Sequence, residues 1–274
     1  MPDRLFQVTD RCPIERIVEA FREQLSGWAI EYIGGEPFIL RDFVRLNAEL
    51  TKANLIGIYT NLSLINPIRS FMEQIDPARV TFINCALHPR ERIRHDPDFE
   101  HFVNLYQMLQ KRGFRTVVTY VVHPTVISRF DADIRLFSSI GIKVYLKVFR
   151  GVFQGRNYPE AYDQGVLECI EQHEPAMTRG RPVRSDVTGE ATICRAGQLL
   201  LDMDIDGNVY RCLTERTLYR GCLGNLFRGT LRLLNTPRVC RSGVCISTRQ
   251  GMGFACSDVR DFTTPAPFFF NQRM

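Results

Sequence analysis

Six cysteines crowd the last third of the chain: Cys194, Cys212, Cys222, Cys240, Cys245 and Cys256. Thiolates collected this closely can hold a metal ion or an inorganic core. Cys194 begins the stretch Cys-Arg-Ala-Gly, and Cys212 ends the stretch Asp206-Gly207-Asn208-Val209-Tyr210-Arg211-Cys212. Asp-Gly between two short apolar runs is a strong hairpin signal. Such a hairpin would carry Cys212 back toward Cys194. A second group stands far upstream, at Gly34-Gly35-Glu36-Pro37. Paired glycines let a ligand approach the backbone, and a carboxylate accepts hydrogen bonds from an amine. A turn with no ligand fits the same four residues.

The elements that position these groups alternate in type. Pro13 opens a helix with Ile14, Ile17, Val18, Phe21 and Leu25 at helical spacing. Trp28 to Ile33 reads as a strand ending at Gly34-Gly35. A helix is expected over about residues 40–53, then a strand from Leu55 to Tyr59 ending at Thr60-Asn61. Another helix leads to the strand Val80 to Ile83, which would end at Asn84-Cys85. A helix over about 98–112 precedes Thr116 to Val122, which ends at His123-Pro124. The last pair leads to Ile142 to Phe149, ending at Arg150-Gly151. Five strands, each preceded by a helix, imply an α/β class with a parallel sheet. In such sheets, binding groups collect at the carboxyl ends of the strands.

Residues 1–174 form this alternating segment. Residues 175–190 read as a linker, 191–262 as a small cysteine-rich domain and 263–274 as a tail. The net charge of +5 is spread along the sequence, which argues against a nucleic-acid footprint. No apolar run is long enough to span a bilayer, and the N-terminus lacks an apolar signal core. A cytoplasmic location is expected, where thiols stay reduced and disulfides are disfavoured.

The order strand–GGEP, strand–Thr-Asn, strand–Asn-Cys-Ala-Leu-His-Pro, strand–Val-Val-His-Pro and strand–Phe-Arg-Gly resembles the partial (β/α)6 barrel of radical S-adenosylmethionine (SAM) enzymes. The stretch from Cys194 onward, with Leu223-Gly224-Asn225-Leu226, is similar to their SPASM or twitch iron–sulfur domain. The resemblance implies that Gly34, Gly35, Glu36 and Pro37 lie at the SAM amino group, with Thr60, Asn61 and Tyr120 around the pocket. It implies an auxiliary [4Fe-4S] cluster on Cys194 and Cys212 with partners from Cys240, Cys245 and Cys256. It also implies reductive cleavage of SAM and hydrogen abstraction from a substrate, which could be a peptide, a protein or a small metabolite. A flavodoxin or ferredoxin would supply the electron.

One departure bears on activity. The family's SAM-cleaving cluster sits on a CxxxCxxC loop after the first strand, and no such spacing occurs among the nine cysteines here. Only Cys12 precedes Gly34. The chain also starts on a helix where a strand is expected. The expectation is a barrel lacking its first strand and cysteine loop, inactive in SAM cleavage as it stands. The alternative is a non-catalytic module that holds an iron–sulfur cluster or zinc. Structural zinc favours knuckles with about two residues between ligands. The gap between Cys194 and Cys212 is seventeen residues and that between Cys240 and Cys245 is four, which favours iron–sulfur. Cys85 and Cys169 read as core residues. His88 and His123, each before a proline, read as hydrogen-bonded structural residues. Arg150 fits either an anion contact or a solvated position, and Phe268-Phe269-Phe270 read as packing residues.

Overall fold

The computed structural model describes residues 8–33, 35–88, 96–149, 151–173, 193–240 and 253–254. The expected linker 175–190 and tail 263–274 lie outside the described residues, as do Gly34, Arg150, Cys245, Cys256 and Phe268–Phe270. The chain divides into two compact units. One comprises Met1–Ile30, Arg45–Leu55 and Gly180–Met274, the other Glu31–Val44 and Ile56–Arg179.

The helices are α1 (Val8–Arg11), α2 (Ile14–Gln24), α3 (Phe43–Leu50), α4 (Ile65–Gln74), α5 (Asp96–Lys111), α6 (Phe130–Ser139), α7 (Gln164–His173) and α8 (Leu213–Thr217). Between them run β1 (Ala29–Tyr32), β2 (Leu55–Thr60), β3 (Val80–Leu87), β4 (Thr116–Val122) and β5 (Val144–Val148). These five form one sheet in the order β1-β2-β3-β4-β5. The ladders from β2 through β5 are parallel. Sequential neighbours in parallel register, joined by helices, are what the alternation of 3.6-residue and two-residue patterns demands.

One face of the sheet is apolar and sealed. Ile58, Ile83, Cys85, Val118, Tyr120, Val122 and Leu146 lie on it with almost no exposure. Next to the sheet, rings of Phe38, Phe43, Phe71 and Phe114 meet at centroid distances of 5.0–6.5 Å. Burying such rings is the main source of stability for this unit.

The opposite face carries polar groups. Register places Tyr59 beside Asn84 and Val117, Ala86 beside Thr119 and Tyr145, and Val121 beside Lys147. In a flat sheet β2 and β5, three strand spacings apart, would be separated by about 14 Å. Yet Lys147 Nζ on β5 lies 5.9 Å from the centroid of the Tyr59 ring on β2. The sheet therefore curls so that this polar face is concave. A short hairpin, β6 (Gly151–Phe153) and β7 (Arg156–Tyr158), follows β5. Its Phe153 ring meets His123 at 4.8 Å, beside Phe149 at 4.6 Å.

The other unit has its own core. Cys12, Ile14, Ile17, Ala20, Phe21 and Leu25 pack with Leu46, Leu50, Val209, Leu226 and Leu231. Here β8 (Ile193–Cys194) pairs with β12 (Arg238–Val239) and β13 (Gly253–Phe254). The expected hairpin forms between β9 (Asp202–Met203) and β10 (Asn208–Tyr210), and β11 (Cys222–Asn225) extends it. Its turn is pinned by Asp204, whose Oδ1 accepts from the amides of Asp206 and Asn208. Gly207 sits at φ +81°, and a Cβ there would fall 2.4 Å from the Phe227 ring. Only glycine satisfies both conditions.

Phe71 has no exposed surface, whereas Val152 is 71% exposed. Phe71→Ala should lower unfolding stability by about 3–5 kcal/mol in urea titration, and Val152→Ala should leave it unchanged. Equal effects from the two substitutions would contradict this packing.

Candidate functional site

Parallel pairing brings the strand ends to one edge, and the best-defined polar constellation lies there. Glu36 caps a short 3-10 turn over Pro37–Ile39 at the end of β1. Its Oε1 accepts from Thr60 Oγ1 at 2.8 Å and from the Phe38 amide at 3.3 Å. Its Oε2 accepts from the Asn61 amide at 2.7 Å. The carboxylate thus clasps the end of β2, and Thr60 Oγ1 accepts in turn from the Leu62 amide. Pro37 is buried beneath this turn. With three donors already on it, the carboxylate is a brace for the edge. Gly35 offers the opening instead. It adopts φ +56°, and no atom lies within 4 Å of where its Cβ would stand. A ligand can reach the backbone there at little steric cost.

Tyr120 is not brought to this constellation. It lies on the sealed face, wholly buried, and its hydroxyl donates to Asp133 Oδ2 on α6 at 2.7 Å. Burial first, then the Asp133 carboxylate, pushes its pKa far up. Arg129 completes the cluster by donating to both oxygens of Asp133. The reading of Asn84-Cys85 as a strand end is corrected: β3 runs on to Leu87, because Ala86 and Leu87 continue the ladder with Thr119 and Tyr120. Cys85 faces the sealed side as a core thiol, and Asn84 faces the concave side. There Thr119 Oγ1 donates to Asn84 Oδ1 at 2.7 Å. Burial pushes the Tyr59 phenol up to about 12, so it is a neutral hydroxyl near pH 7.

His123 follows β4, and its Nδ1 accepts from the Thr125 amide and meets Thr125 Oγ1 at 2.9 Å. That agrees with the expected hydrogen-bonded structural histidine. Cys169, expected in the core, is partly buried.

No protein-family model matches the chain, and no curated protein matches its sequence. Its shape is more informative. The structure of anSMEcpe with bound AdoMet and Kp18Cys peptide superposes with a TM-score of 0.54 at 15% identity, covering 79% of this chain and 69% of that one. Streptococcus suis SuiB bound to precursor peptide SuiA gives 0.51 at 14% identity, covering 83% of this chain and 57% of SuiB. Both belong to the radical SAM superfamily. This chain has the radical SAM fold. It spans little more than half the length of SuiB. The α/β class expected from the strand–helix alternation, and the partial barrel that the resemblance implied, are therefore present.

Within this radical SAM fold the C-terminal cysteines have defined surroundings. Cys194, Cys212 and Cys240 are half-buried and Cys222 is exposed. Cys194 Sγ accepts from the Ala196 amide at 3.4 Å. Burial pushes the Cys212 thiol up. The nearby amides of Glu215 and Thr214 oppose this, and charge on Glu215 and on Cys194 adds to it. None of these amides closes a cap hydrogen bond onto the sulfur by geometry. The segments that carry the two cysteines meet: Arg211, next to Cys212, donates from Nε to Ala196 O at 3.1 Å, two residues beyond Cys194. Cys240 follows β12, which pairs with β8 at Cys194. Among the described residues, no group of three or more His, Cys, Asp or Glu is placed to hold a metal ion.

The Leu223-Gly224-Asn225-Leu226 stretch proves to be a structural knot. Asn225 Nδ2 donates to Asp206 O and Asn208 Oδ1, and its Oδ1 accepts from the Arg228 amide. A Cβ at Gly224 would stand 2.2 Å from Thr230 O. Sequence reasoning missed Lys147, Tyr59 and the Asn84–Thr119 pair. The signal for them was available: Tyr59, Asn84, Thr119, Tyr145 and Lys147 interrupt otherwise apolar strands at the alternation of the concave side.

Thr60→Val removes one donor from the Glu36 carboxylate and should cost about 1–3 kcal/mol in denaturant unfolding; an unchanged midpoint would contradict the brace. Alkylation of Cys212, followed by peptide mapping across pH, should have a midpoint above that of an ordinary thiol. Because the Cys194 charge raises it, Cys194→Ser should lower that midpoint, and a rise would contradict the proximity.

Proposed function

We propose that this chain is a radical SAM-family protein whose barrel edge at Gly34, Gly35, Glu36 and Pro37, with Thr60 and Asn61, forms the SAM site. We further propose that its C-terminal cysteines hold one auxiliary [4Fe-4S] cluster. The observation that carries the reading is the radical SAM fold, supported by the contact of Arg211, beside Cys212, with Ala196, beside Cys194. Backbone groups at the open side of Gly35 would take the amino group of SAM, and Glu36 would hold that backbone in place. Cys194 and Cys212 fit two of the cluster ligands by softness, by proximity and by the N–H···S bond at Cys194. Cys240, Cys245 and Cys256 would complete the set. A bound cluster would supply electron-transfer chemistry; the chain's own residues would supply orientation.

Bound peptides in anSMEcpe and SuiB support a peptide or protein as substrate. A flavodoxin or ferredoxin would act as reductant, and the setting would be cytoplasmic. No helix of the described residues is long and apolar enough to cross a membrane. The absence of CxxxCxxC spacing from the 274 residues supports a chain that does not itself cleave SAM. The same absence favours, as a second reading, a non-catalytic module holding iron–sulfur or zinc.

Anaerobic reconstitution with iron and sulfide should give a broad absorbance near the blue edge of the visible range, bleached by dithionite. Incubation of that protein with SAM and dithionite should yield no 5′-deoxyadenosine above the no-enzyme control. Product above control would overturn the claim of inactivity. Zinc retained after anaerobic expression, with no iron taken up, would replace the cluster assignment by the second reading.

A further inference from the structure

Beside Cys194 and Cys212 lies a charged pair that no metal-ligand argument requires. The side chains of Arg211 and Glu215 are 12% and 8% exposed, and Arg211 Nη1 donates to Glu215 Oε1 at 3.4 Å. Removing two charges from water is expensive, so a buried pair often contributes less to stability than apolar replacements would. Its retention calls for another role. The contacts supply one. Arg211 Nε donates to Ala196 O at 3.1 Å, and the amide of that same Ala196 donates to Cys194 Sγ at 3.4 Å. Arg211 immediately precedes Cys212, and Glu215 follows it by three residues.

The contacts therefore run from Cys194 Sγ through Ala196 to the guanidinium, and from there to the segment bearing Cys212. Two glycines make room for this arrangement. A Cβ on Gly197, at φ +95°, would stand 3.1 Å from Arg211 Cγ and 2.7 Å from Leu234 Cδ1. A Cβ on Gly221, at φ +68°, would stand 1.7 Å from Glu215 Oε2. The Gly221 carbonyl also accepts from the Arg211 amide at 3.2 Å. The guanidinium fork is planar and rigid, which suits it to fixing two segments at once.

We propose that Arg211, held by Glu215, is a positioning residue that locks the Cys194 loop to the Cys212 segment and so presets the two thiols for a shared thiophilic centre. The proposal deepens the cluster reading and rests on it for the identity of that centre, but the preset geometry is a property of the metal-free chain.

The test uses the full chain without metal and dibromobimane, which becomes fluorescent when it bridges two nearby thiols. In the wild type the mapped cross-link should join Cys194 to Cys212. Arg211→Met combined with Glu215→Leu replaces the pair by apolar residues of similar size, which keeps the unit folded by circular dichroism. Its cross-linking should slow on the order of a hundredfold, the scale that a 1 Å misplacement costs a geometry-dependent step. Arg211→Lys, which keeps charge but loses the fork, should also be slowed, whereas Arg228→Lys should not. After reconstitution, the double variant should hold less iron and show an altered cluster spectrum.

Wild-type cross-linking rates in the folded double variant would overturn the proposal. So would a wild-type chain in which Cys194 and Cys212 do not cross-link. If the wild type cross-links as expected but takes up no iron, the cluster reading fails while the positioning role stands.

Discussion

Parallel pairing is the constraint on which the rest of this fold depends. From β2 to β5 every strand runs the same way, so each return path is a helix and every strand delivers its last residues to one edge. That edge receives Glu36, Thr60 and Asn61 from distant parts of the sequence and ties them through one carboxylate. The twist of paired strands then curls the sheet, until a lysine on β5 reaches over a tyrosine on β2. An apolar sealed face and a polar concave face follow from the same two-residue period.

The sequence made the order of elements legible because its signals were local. Strand Thr116–Val122 is a β-branched run, and its observed bounds are those read from it. The hairpin at Asp206-Gly207 was equally clear, since a glycine at φ +81° belongs in such a turn. Asn84-Cys85 was misread as a strand end because the helix–strand boundary signal there is weak. What continued the strand was a long-range ladder from Ala86 to Thr119 and from Leu87 to Tyr120. Tyr120 shows a further limit. A tyrosine in a strand can face either side, and only the acceptor on α6 decides which.

The candidate site was partly legible for related reasons. Gly35, Glu36, Thr60 and Asn61 could be named from their positions at strand ends, but not the direction of the Glu36 carboxylate. That depends on Thr60 Oγ1, twenty-four residues away in sequence. The hairpin that precedes Cys212 was legible from Asp206-Gly207. The Arg211–Glu215 pair was not, because arginine and glutamate at helical spacing are ordinary on a solvated surface. Burial is what distinguishes this pair. Polar residues removed from water mark the places where geometry matters more than stability.

The central claim is that the open backbone at Gly35, braced by Glu36 and Thr60, is a SAM site built on a radical SAM fold. Hydrogen–deuterium exchange with saturating SAM tests it most directly. The account predicts slowed exchange at the amides of Gly35, Glu36 and Phe38 and of residues 60–62, with little change at the Asp204–Asn208 turn. Unchanged exchange at the Gly35 edge, or protection confined to another region, would contradict it.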